Sequence, residues 1–350
     1  MRLAIATVQV PFTTGGAELL ARGLRDALRT RGHEAEIVTL PFKWYPSGTL
    51  LDAMRMAQLV DLTEVNGQPI DRVVALKFPA YLLRHPDKVI WLLHQHRQAY
   101  DLWGTPFGDL HAWPDGEEVR RAIVDADSRA LGEARALFTL SRNVAERLHR
   151  FNGLTGAPLY PPPPANRHWR CDRFEGFILC PGRLDPIKRQ DLVLRALGLM
   201  RSDLTLVFVG GGTAPERRRL AALARDLGLE RRIGWAGPVS DEELVDLYAR
   251  CRAAWFGGYD EDYGYVPIEA FLSGKPAVVH TDAGGPLEFV VEGHNGRVVP
   301  PDPAALAAAL DTLADASLAA QLGAQGNADI RGLDITWDRV VGRLLSDLPD

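Results

Sequence analysis

Short apolar runs alternate with longer amphipathic stretches along this chain, and this alternation is the feature that most constrains its fold. The pattern is typical of a parallel α/β sheet, whose buried strands are separated by helices. It occurs once in each half of the chain. Strands are predicted at Leu3–Val10, Ala35–Leu40, Arg72–Leu76, Val89–Leu93, Ala136–Leu140, Phe177–Cys180, Leu204–Val209, Arg232–Trp235, Ala253–Phe256, Ala277–His280 and Arg297–Val299.

Four consecutive prolines, residues 161 to 164, separate the two halves. Proline lacks a backbone N–H and does not fit inside a helix or a central strand, so this stretch predicts a domain boundary. We expect a first domain over residues 1–165, a second over 166–332 and a final helical segment over 333–350. Doubly wound sheets bind ligands at the carboxyl ends of their strands, and the function is therefore sought in those loops.

Composition excludes several classes of protein. The 350 residues carry a net charge of −5, which gives no reason to expect the basic patch typical of nucleic-acid binding, so no nucleic-acid partner is expected. Cys171, Cys180 and Cys251 lack the spacing of a metal site or a disulfide framework, which favours a reducing cytoplasm. No apolar run reaches about 18 residues, so a membrane span is not expected, although peripheral contact with the inner face of a membrane stays open.

Two loops of the second half carry candidate phosphate-binding features. Arg183 and Lys188 flank a turn after the strand Phe177–Cys180, and they are either solvated charges or ligands of an anion. The stretch "FVGGGTAPE", residues 208–216, follows the next strand. Its glycines are adjacent rather than spaced, and no acidic residue ends the following strand, so a dinucleotide site is disfavoured.

The stretch "GYDEDYGYVPIEAFLSGKP", residues 258–276, places two glutamates eight residues apart. Pro267 favours the first position of a helix, which would put Glu269 in the first turn. Glu269 then either caps the helix or accepts hydrogen bonds from hydroxyls, such as those of a ribose, beside a phosphate bound at the helix start. Glu261, on the preceding loop, suits the hydroxyls of a sugar.

Asp260 and Asp262 flank Glu261 and form a D-x-D triplet. Such a triplet holds a metal ion in some transferases. Two basic residues near the same loops can neutralise a diphosphate without a metal. We therefore expect neither a metal nor another cofactor, and we keep the metal site as the alternative.

Several motifs, taken in order, give the chain a resemblance to a known family. "GRLDPIK", "FVGGG", "EDYGYVPIE" and "AGGPLEFVVEGHNGRVVPP" resemble motifs of the retaining glycosyltransferases of family 4. "PFTTGGAELLARGL" is similar to the family's first glycine-rich loop and helix, and "ITWDRVVGRLL" to its C-terminal helix, which returns to the first domain. The resemblance covers nearly the whole chain. It implies the GT-B fold, in which two Rossmann-like domains face each other across a cleft.

The resemblance also implies roles for individual residues. Arg183 and Lys188 would bind the diphosphate of a nucleotide-sugar donor, Glu269 its ribose and Glu261 the transferred sugar. Backbone amides would bind the donor as well, from Gly15 and Gly16 in the first domain and from Tyr263, Gly264, Tyr265 and Val266 in the second. The sequence departs from the family's usual pattern at Asp262 and Tyr263, which puts the details of the sugar pocket in doubt.

His94 matches the active-site histidine of the family's first domain, and His96 ranks second. The alternative for His94 is a buried histidine at the end of a strand. The resemblance thus implies a catalytic set of His94, Glu261, Arg183 and Lys188, acting in a cytoplasmic enzyme.

The reaction that the resemblance implies is transfer of a sugar from a UDP- or GDP-sugar, with retention, to a hydroxyl of a sugar, lipid-linked or small-molecule acceptor. Two other classes stay open. A nucleotide-sugar epimerase of the same fold would keep the nucleotide pocket and need no acceptor. A non-catalytic nucleotide-sugar binder would keep Glu269, and the presence of Arg183 and Lys188 argues against it.

Overall fold

The computed structural model describes residues 1–12, 15–164 and 167–346. Its contacts divide the chain into two units, which we call unit 1 (Met1–Pro164 with Ile335–Asp350) and unit 2 (Ala165–Asp334). The expected boundary between residues 165 and 166 lies outside the described residues, as do residues 347–350 of the expected final segment.

Unit 1 is built on a six-stranded parallel sheet. Its strands and helices up to the tetraproline segment are β1 (Arg2–Gln9), α1 (Gly16–Thr30), β2 (Glu34–Pro41), α2 (Ser47–Leu59), β3 (Glu64–Val65), β4 (Gln68–Pro69), β5 (Arg72–Ala75), β6 (Lys88–Leu92), α3 (Gly116–Gly132), β7 (Ala136–Thr139), α4 (Arg142–Asn152) and β8 (Ala157–Pro158). The sheet order is β2-β1-β5-β6-β7-β8, and β3 and β4 form a separate antiparallel pair. Strands β5 and β6 are buried at every position, as expected for a sheet covered on both faces.

Unit 2 repeats this plan. Its elements are β9 (Phe177–Pro181), α5 (Gln190–Leu197), β10 (Thr205–Val209), α6 (Ala214–Asp226), β11 (Ile233–Gly237), α7 (Asp241–Arg250), β12 (Ala253–Trp255), α8 (Tyr265–Leu272), β13 (Ala277–His280), β14 (Gly296–Val299), α9 (Pro303–Thr312) and α10 (Ala316–Gly332). The parallel sheet has the order β11-β10-β9-β12-β13-β14. The chain reverses direction across the sheet between β9 and β12, the kind of point at which α/β sheets bind ligands.

The final helix, α11 (Trp337–Leu345), packs on unit 1. The Trp337 ring lies edge-on to Trp91, with ring centroids 6.4 Å apart. The buried guanidinium of Arg72 pairs with Asp87 (2.8 Å) and also donates to the backbone oxygen of Leu344 (3.0 Å), which ties α11 to β5.

All eleven predicted strands are confirmed, with ends within two residues of those predicted. The predicted class of two doubly wound α/β units is also confirmed. The short strands β3, β4 and β8 were not predicted, because two residues are too few for a periodic pattern.

Close packing between α8 and α10 positions α8, which carries Glu269. A Cβ atom at Gly323 of α10 would lie 2.0 Å from the backbone oxygen of Gly274, just after α8. A Cβ at Gly326 would lie 2.2 Å from the Phe271 ring. The two glycines allow α10 to lie directly against α8.

We predict that Gly323→Ala destabilises the protein by about 1 to 3 kcal/mol, because the added methyl group must displace the Gly274 backbone. This outcome opposes the gain of about 1 kcal/mol that alanine gives over glycine inside a helix. Urea unfolding measures the difference. Gly332→Ala is the matched control and should be neutral or stabilising. Among the described residues, no atom outside its chain neighbours and its own helix backbone lies within 4 Å of its Cβ position. Equal stability of the two variants would contradict the packing argument.

Candidate active site

The loop after β9 lies against the loop after β10. Leu184 donates its N–H to the backbone oxygen of Gly211 (2.7 Å). A Cβ at Gly210 would lie 2.3 Å from the oxygen of Gly182, and one at Gly212 would lie 2.6 Å from the Leu184 side chain. The adjacent glycines of "FVGGG" therefore allow two loops to approach each other. This packing accounts for the glycines, and no dinucleotide-binding role is needed to explain them.

The Lys188 ammonium and the Glu261 carboxylate form an ion pair. Their side chains are 21% and 23% exposed, so the pair is reachable from solvent. The Lys188 nitrogen also lies 4.9 Å from the centroid of the Phe256 ring. Two of the predicted site residues, 73 positions apart in sequence, are thus brought together at the carboxyl edge of the unit 2 sheet.

Arg183 lies on the same loop as Lys188 but is more exposed. Its guanidinium pairs with Asp185 (3.1 Å), and 62% of its side chain is accessible. Asp185 also caps the single 3₁₀ turn Pro186–Lys188 by accepting the N–H of Ile187 (3.2 Å). This turn holds Lys188 in place, whereas Arg183 projects toward solvent.

Arg189 holds the loop that carries Glu261. Its guanidinium makes two 2.8 Å contacts with the Asp282 carboxylate. It also donates to the backbone oxygens of Gly257 (2.7 Å) and Gly258 (3.2 Å). Backbone hydrogen bonds complete the attachment, since the N–H groups of Asp260 and Glu261 donate to residues 282 and 283 (both 2.8 Å). The Glu261 loop is therefore anchored on both sides.

Helix α8 begins at Tyr265, two residues earlier than predicted, so Pro267 is its third residue rather than its first. Gly264 makes this possible because it adopts a left-handed φ of 83° at the N-cap. The first amides of a helix have no intrahelical partner, so a proline in the first turn removes no helical hydrogen bond. The predicted backbone donors Gly264, Tyr265 and Val266 form this helix start.

Glu269 does not cap α8, and the capping interpretation is wrong. It is the fifth residue of the helix, beyond the first turn, and is only 6% exposed. One carboxylate oxygen accepts a hydrogen bond from Arg167 Nη1 (2.6 Å), and the other accepts one from the Tyr248 hydroxyl (3.0 Å). Burial raises the pKa of Glu269 to about 7, against the opposing effects of Arg167 and Tyr248.

The predicted residues of unit 1 lie at the start of α1 and just beyond the end of β6. Gly15 precedes α1 and donates its N–H to the Glu18 carboxylate (2.8 Å), and Gly16 is the first residue of that helix. His94 lies two residues beyond β6, half-buried, with Nδ1 2.6 Å from the backbone oxygen of Gln95. The roles predicted for Gly15, Gly16 and His94 stay predictions.

His96 is a core residue. It is 9% exposed and packs near the rings of Phe42 and Phe78. Burial, assisted by the neighbouring His94, lowers the pKa of His96 to about 3, so the ring is neutral at physiological pH. His94 is the better candidate of the two.

Within the described ranges, no group of three or more His, Cys, Asp or Glu side chains could hold a metal ion. In the same part of the chain, no helix is both long and apolar enough to cross a lipid bilayer.

Sequence analysis missed four side chains of the site, Arg167, Tyr248, Arg189 and Asp282. Nothing in the local sequence indicates that Arg189 adopts a left-handed conformation. Nor does it indicate that each of these four side chains pairs with a residue far away in sequence.

Comparison with solved structures identifies the fold as GT-B. The chain superposes on Anabaena HepE, solved in complex with UDP and glucose, with a TM-score of 0.69 and 20% identity over 99% of this chain and 100% of that one. Sucrose-phosphate synthase from Thermosynechococcus elongatus gives a TM-score of 0.74 and 20% identity, with 98% and 97% covered.

Sequence comparison identifies the family. The sequence profile of the family described as glycosyl transferases group 1 matches residues 172–328. A D-inositol 3-phosphate glycosyltransferase of Acidothermus cellulolyticus is 34% identical over 95% of this chain and 84% of its own length. A GDP-mannose-dependent alpha-(1-6)-phosphatidylinositol monomannoside mannosyltransferase of Mycolicibacterium smegmatis is 36% identical over 43% of this chain and 41% of its own. The chain belongs to the group 1 glycosyltransferases, and it is an enzyme of that class.

Proposed function

We propose that unit 2 binds a UDP- or GDP-sugar and that the enzyme transfers the sugar, with retention, to a hydroxyl of an acceptor. The observation that carries this proposal is the meeting of the Lys188 ammonium and the Glu261 carboxylate at the carboxyl edge of the unit 2 sheet, beside the helix that buries Glu269. UDP is bound in the HepE structure and GDP-mannose appears in the name of the mycobacterial relative, which supports these two donor classes.

Lys188 and Arg183 are the proposed ligands of the donor diphosphate. Cleavage of the bond between the sugar and the phosphate leaves growing negative charge on the nucleoside diphosphate. Cations and helix-start amides aimed at that group stabilise the transition state more than the ground state. The start of α8 at Tyr265 supplies such amides. The exposed Arg183 needs only a rotamer change to leave Asp185 for a phosphate.

The two glutamates then have separate roles. Glu269 would accept hydrogen bonds from the nucleotide's ribose, whereas Glu261 would accept them from the hydroxyls of the transferred sugar. Lys188, paired with Glu261, would lie between the sugar and the diphosphate. This arrangement orients the anomeric carbon as well as binding the donor.

Retention follows if the acceptor hydroxyl attacks the anomeric carbon on the face that the phosphate leaves. The bond from carbon to phosphate oxygen breaks, a new bond from carbon to acceptor oxygen forms, and the departing phosphate takes the hydroxyl proton. No protein nucleophile is required. The alternative is a double displacement through an enzyme carboxylate. A catalytic role for His94 is also proposed, and the family resemblance supports it.

The proposed acceptor carries an inositol ring. Only the mycobacterial relative has a donor in its name, but the names of both relatives contain inositol. The test is a transfer assay with UDP- and GDP-sugars and a panel of inositol, inositol phosphates and simple sugars. We expect product with an inositol-bearing acceptor and no new nucleotide sugar when donor is incubated alone. New nucleotide sugar from donor alone would support the epimerase instead.

Substitution of each glutamate by glutamine separates their roles. Glu269→Gln should weaken binding of both the nucleoside diphosphate product and the intact donor, by about tenfold or more for loss of a charge-assisted hydrogen bond. Glu261→Gln should leave product affinity near that of the wild type, because the product carries no sugar. Its turnover of the full donor should fall. Calorimetry and steady-state rates provide the two measurements. Equal loss of product binding in both variants, or none in either, would refute the division of roles.

Catalysis should be independent of a metal ion. Lys188 and Arg183 supply the positive charge that a divalent ion provides in other transferases. We therefore expect EDTA to leave the transfer rate unchanged. Loss of activity in EDTA that Mn²⁺ or Mg²⁺ restores would instead support the D-x-D site of Asp260 and Asp262.

A further inference from the structure

Arg167 joins two carboxylates of very different exposure in unit 2. It follows the tetraproline segment closely in sequence, and its side chain is 11% exposed. Its Nη1 lies 2.6 Å from the buried Glu269 carboxylate on α8. Its Nε and Nη2 each lie 2.8 Å from the half-exposed Asp241 carboxylate at the start of α7. The guanidinium is therefore held in a fixed orientation against Glu269.

Among the described residues, four titratable or charged groups face Glu269. Arg167 comes from the segment before β9, Asp241 and Tyr248 from α7, and Tyr265 from the start of its own helix. Burial is the largest effect on both tyrosine hydroxyls and raises the pKa of each, so both are neutral. Asp241 opposes ionisation of Glu269, whereas Arg167 favours it. The positive charge that favours the ionised form of this carboxylate comes from Arg167.

We propose that Arg167 is a positioning residue for nucleotide binding, which holds the Glu269 carboxylate ionised and turned so that it can accept the two hydroxyls of a ribose. This inference rests on the proposed ribose-binding role of Glu269. A carboxylate has about four acceptor positions. Arg167 occupies one acceptor position on the first oxygen, and Tyr248 occupies one on the second. One acceptor position on each oxygen is then left for the 2′- and 3′-hydroxyls of the ribose.

The charge state of Glu269 makes this role measurable. Burial disfavours the ionised form, and the pKa of Glu269 is about 7 even with Arg167 in place. A protonated carboxyl loses part of its acceptor capacity. Nucleotide affinity should therefore be high above this pKa and fall as pH drops through it. Removal of the guanidinium raises the pKa further, so affinity should be lost at a higher pH.

The experiment is a titration of UDP and GDP by calorimetry from about pH 5.5 to about pH 9.5, with wild-type protein and Arg167→Met. Methionine keeps much of the aliphatic volume and removes the charge. We expect the pH midpoint of nucleotide binding to rise by about 1 to 2 units, within the usual effect of one neighbouring opposite charge. Affinity should recover at the alkaline end. Thermal unfolding checks that each variant is folded.

Three further variants make the result specific. Arg167→Lys keeps the charge and should return the midpoint most of the way to the wild-type value. Arg170→Met is the matched control, because Arg170 is a half-exposed neighbour that pairs with Asp172 and Asp246, and its profile should equal that of the wild type. In a Glu269→Gln background, Arg167→Met should produce no midpoint shift, since the titration of the nucleotide itself then remains and is the same with either protein.

Two negative results are distinguishable. If Glu269→Gln binds UDP and GDP like the wild type, the ribose role of Glu269 is wrong. If Glu269→Gln weakens binding but Arg167→Met keeps the wild-type midpoint, the role of Arg167 is wrong and that of Glu269 stands. Equal shifts in Arg167→Met and Arg167→Lys would also overturn the proposal, because charge would not be the cause. If the methionine variant fails to fold, Arg167→Lys is compared with the wild type alone. A midpoint near that of the wild type is then the expected result, and a rise of about one unit or more would overturn the proposal.

Discussion

The bidentate ion pair between Arg189 and Asp282 holds the loop on which both glutamates of the site depend. The Arg189 side chain is 14% exposed, and the same guanidinium binds two backbone oxygens of the Glu261 loop. That loop leads directly into α8. Its fixed path places Glu261 against Lys188 and starts the helix at Tyr265, so that Glu269 faces the interior. Loss of the Arg189–Asp282 ion pair would loosen the positions of Glu261 and Glu269 together.

The two glutamates lie eight residues apart in sequence but in different electrostatic environments. Glu261 shares a partly exposed ion pair with Lys188, from which either partner can turn toward a ligand. Glu269 is buried, and its ionisation depends on Arg167 and Tyr248. Environments of this kind allow one type of side chain to perform two tasks. In the proposed site, the partly exposed charge pair would serve the reacting end of a donor, and the buried carboxylate would serve its nucleotide.

The sequence predicted the sheets well because buried parallel strands are continuous apolar runs, and the local pattern is sufficient to find them. The family resemblance selected Lys188 and Glu261 as site residues, but it did not predict that they pair with each other. Arg189 and Asp282 were missed because they are 93 positions apart, and nothing local selects one arginine of this arginine-rich chain over another. Arg167 and Glu269 are 102 positions apart and were missed as a pair for the same reason. The capping interpretation of Glu269 failed because Gly264, rather than Pro267, determines where α8 begins.

The central claim is that the edge of the unit 2 sheet bearing Lys188 binds a nucleoside diphosphate. Calorimetric titration of Lys188→Ala with UDP and GDP, and with uridine and guanosine, tests it most directly. The variant should bind the diphosphates roughly 10- to 150-fold more weakly, corresponding to about 1.5 to 3 kcal/mol for a hydrogen bond to a charged group. The nucleosides should bind as they do to the wild type, and Arg195→Ala, on the exposed face of α5, should change neither. Unchanged diphosphate affinity in Lys188→Ala would contradict the account.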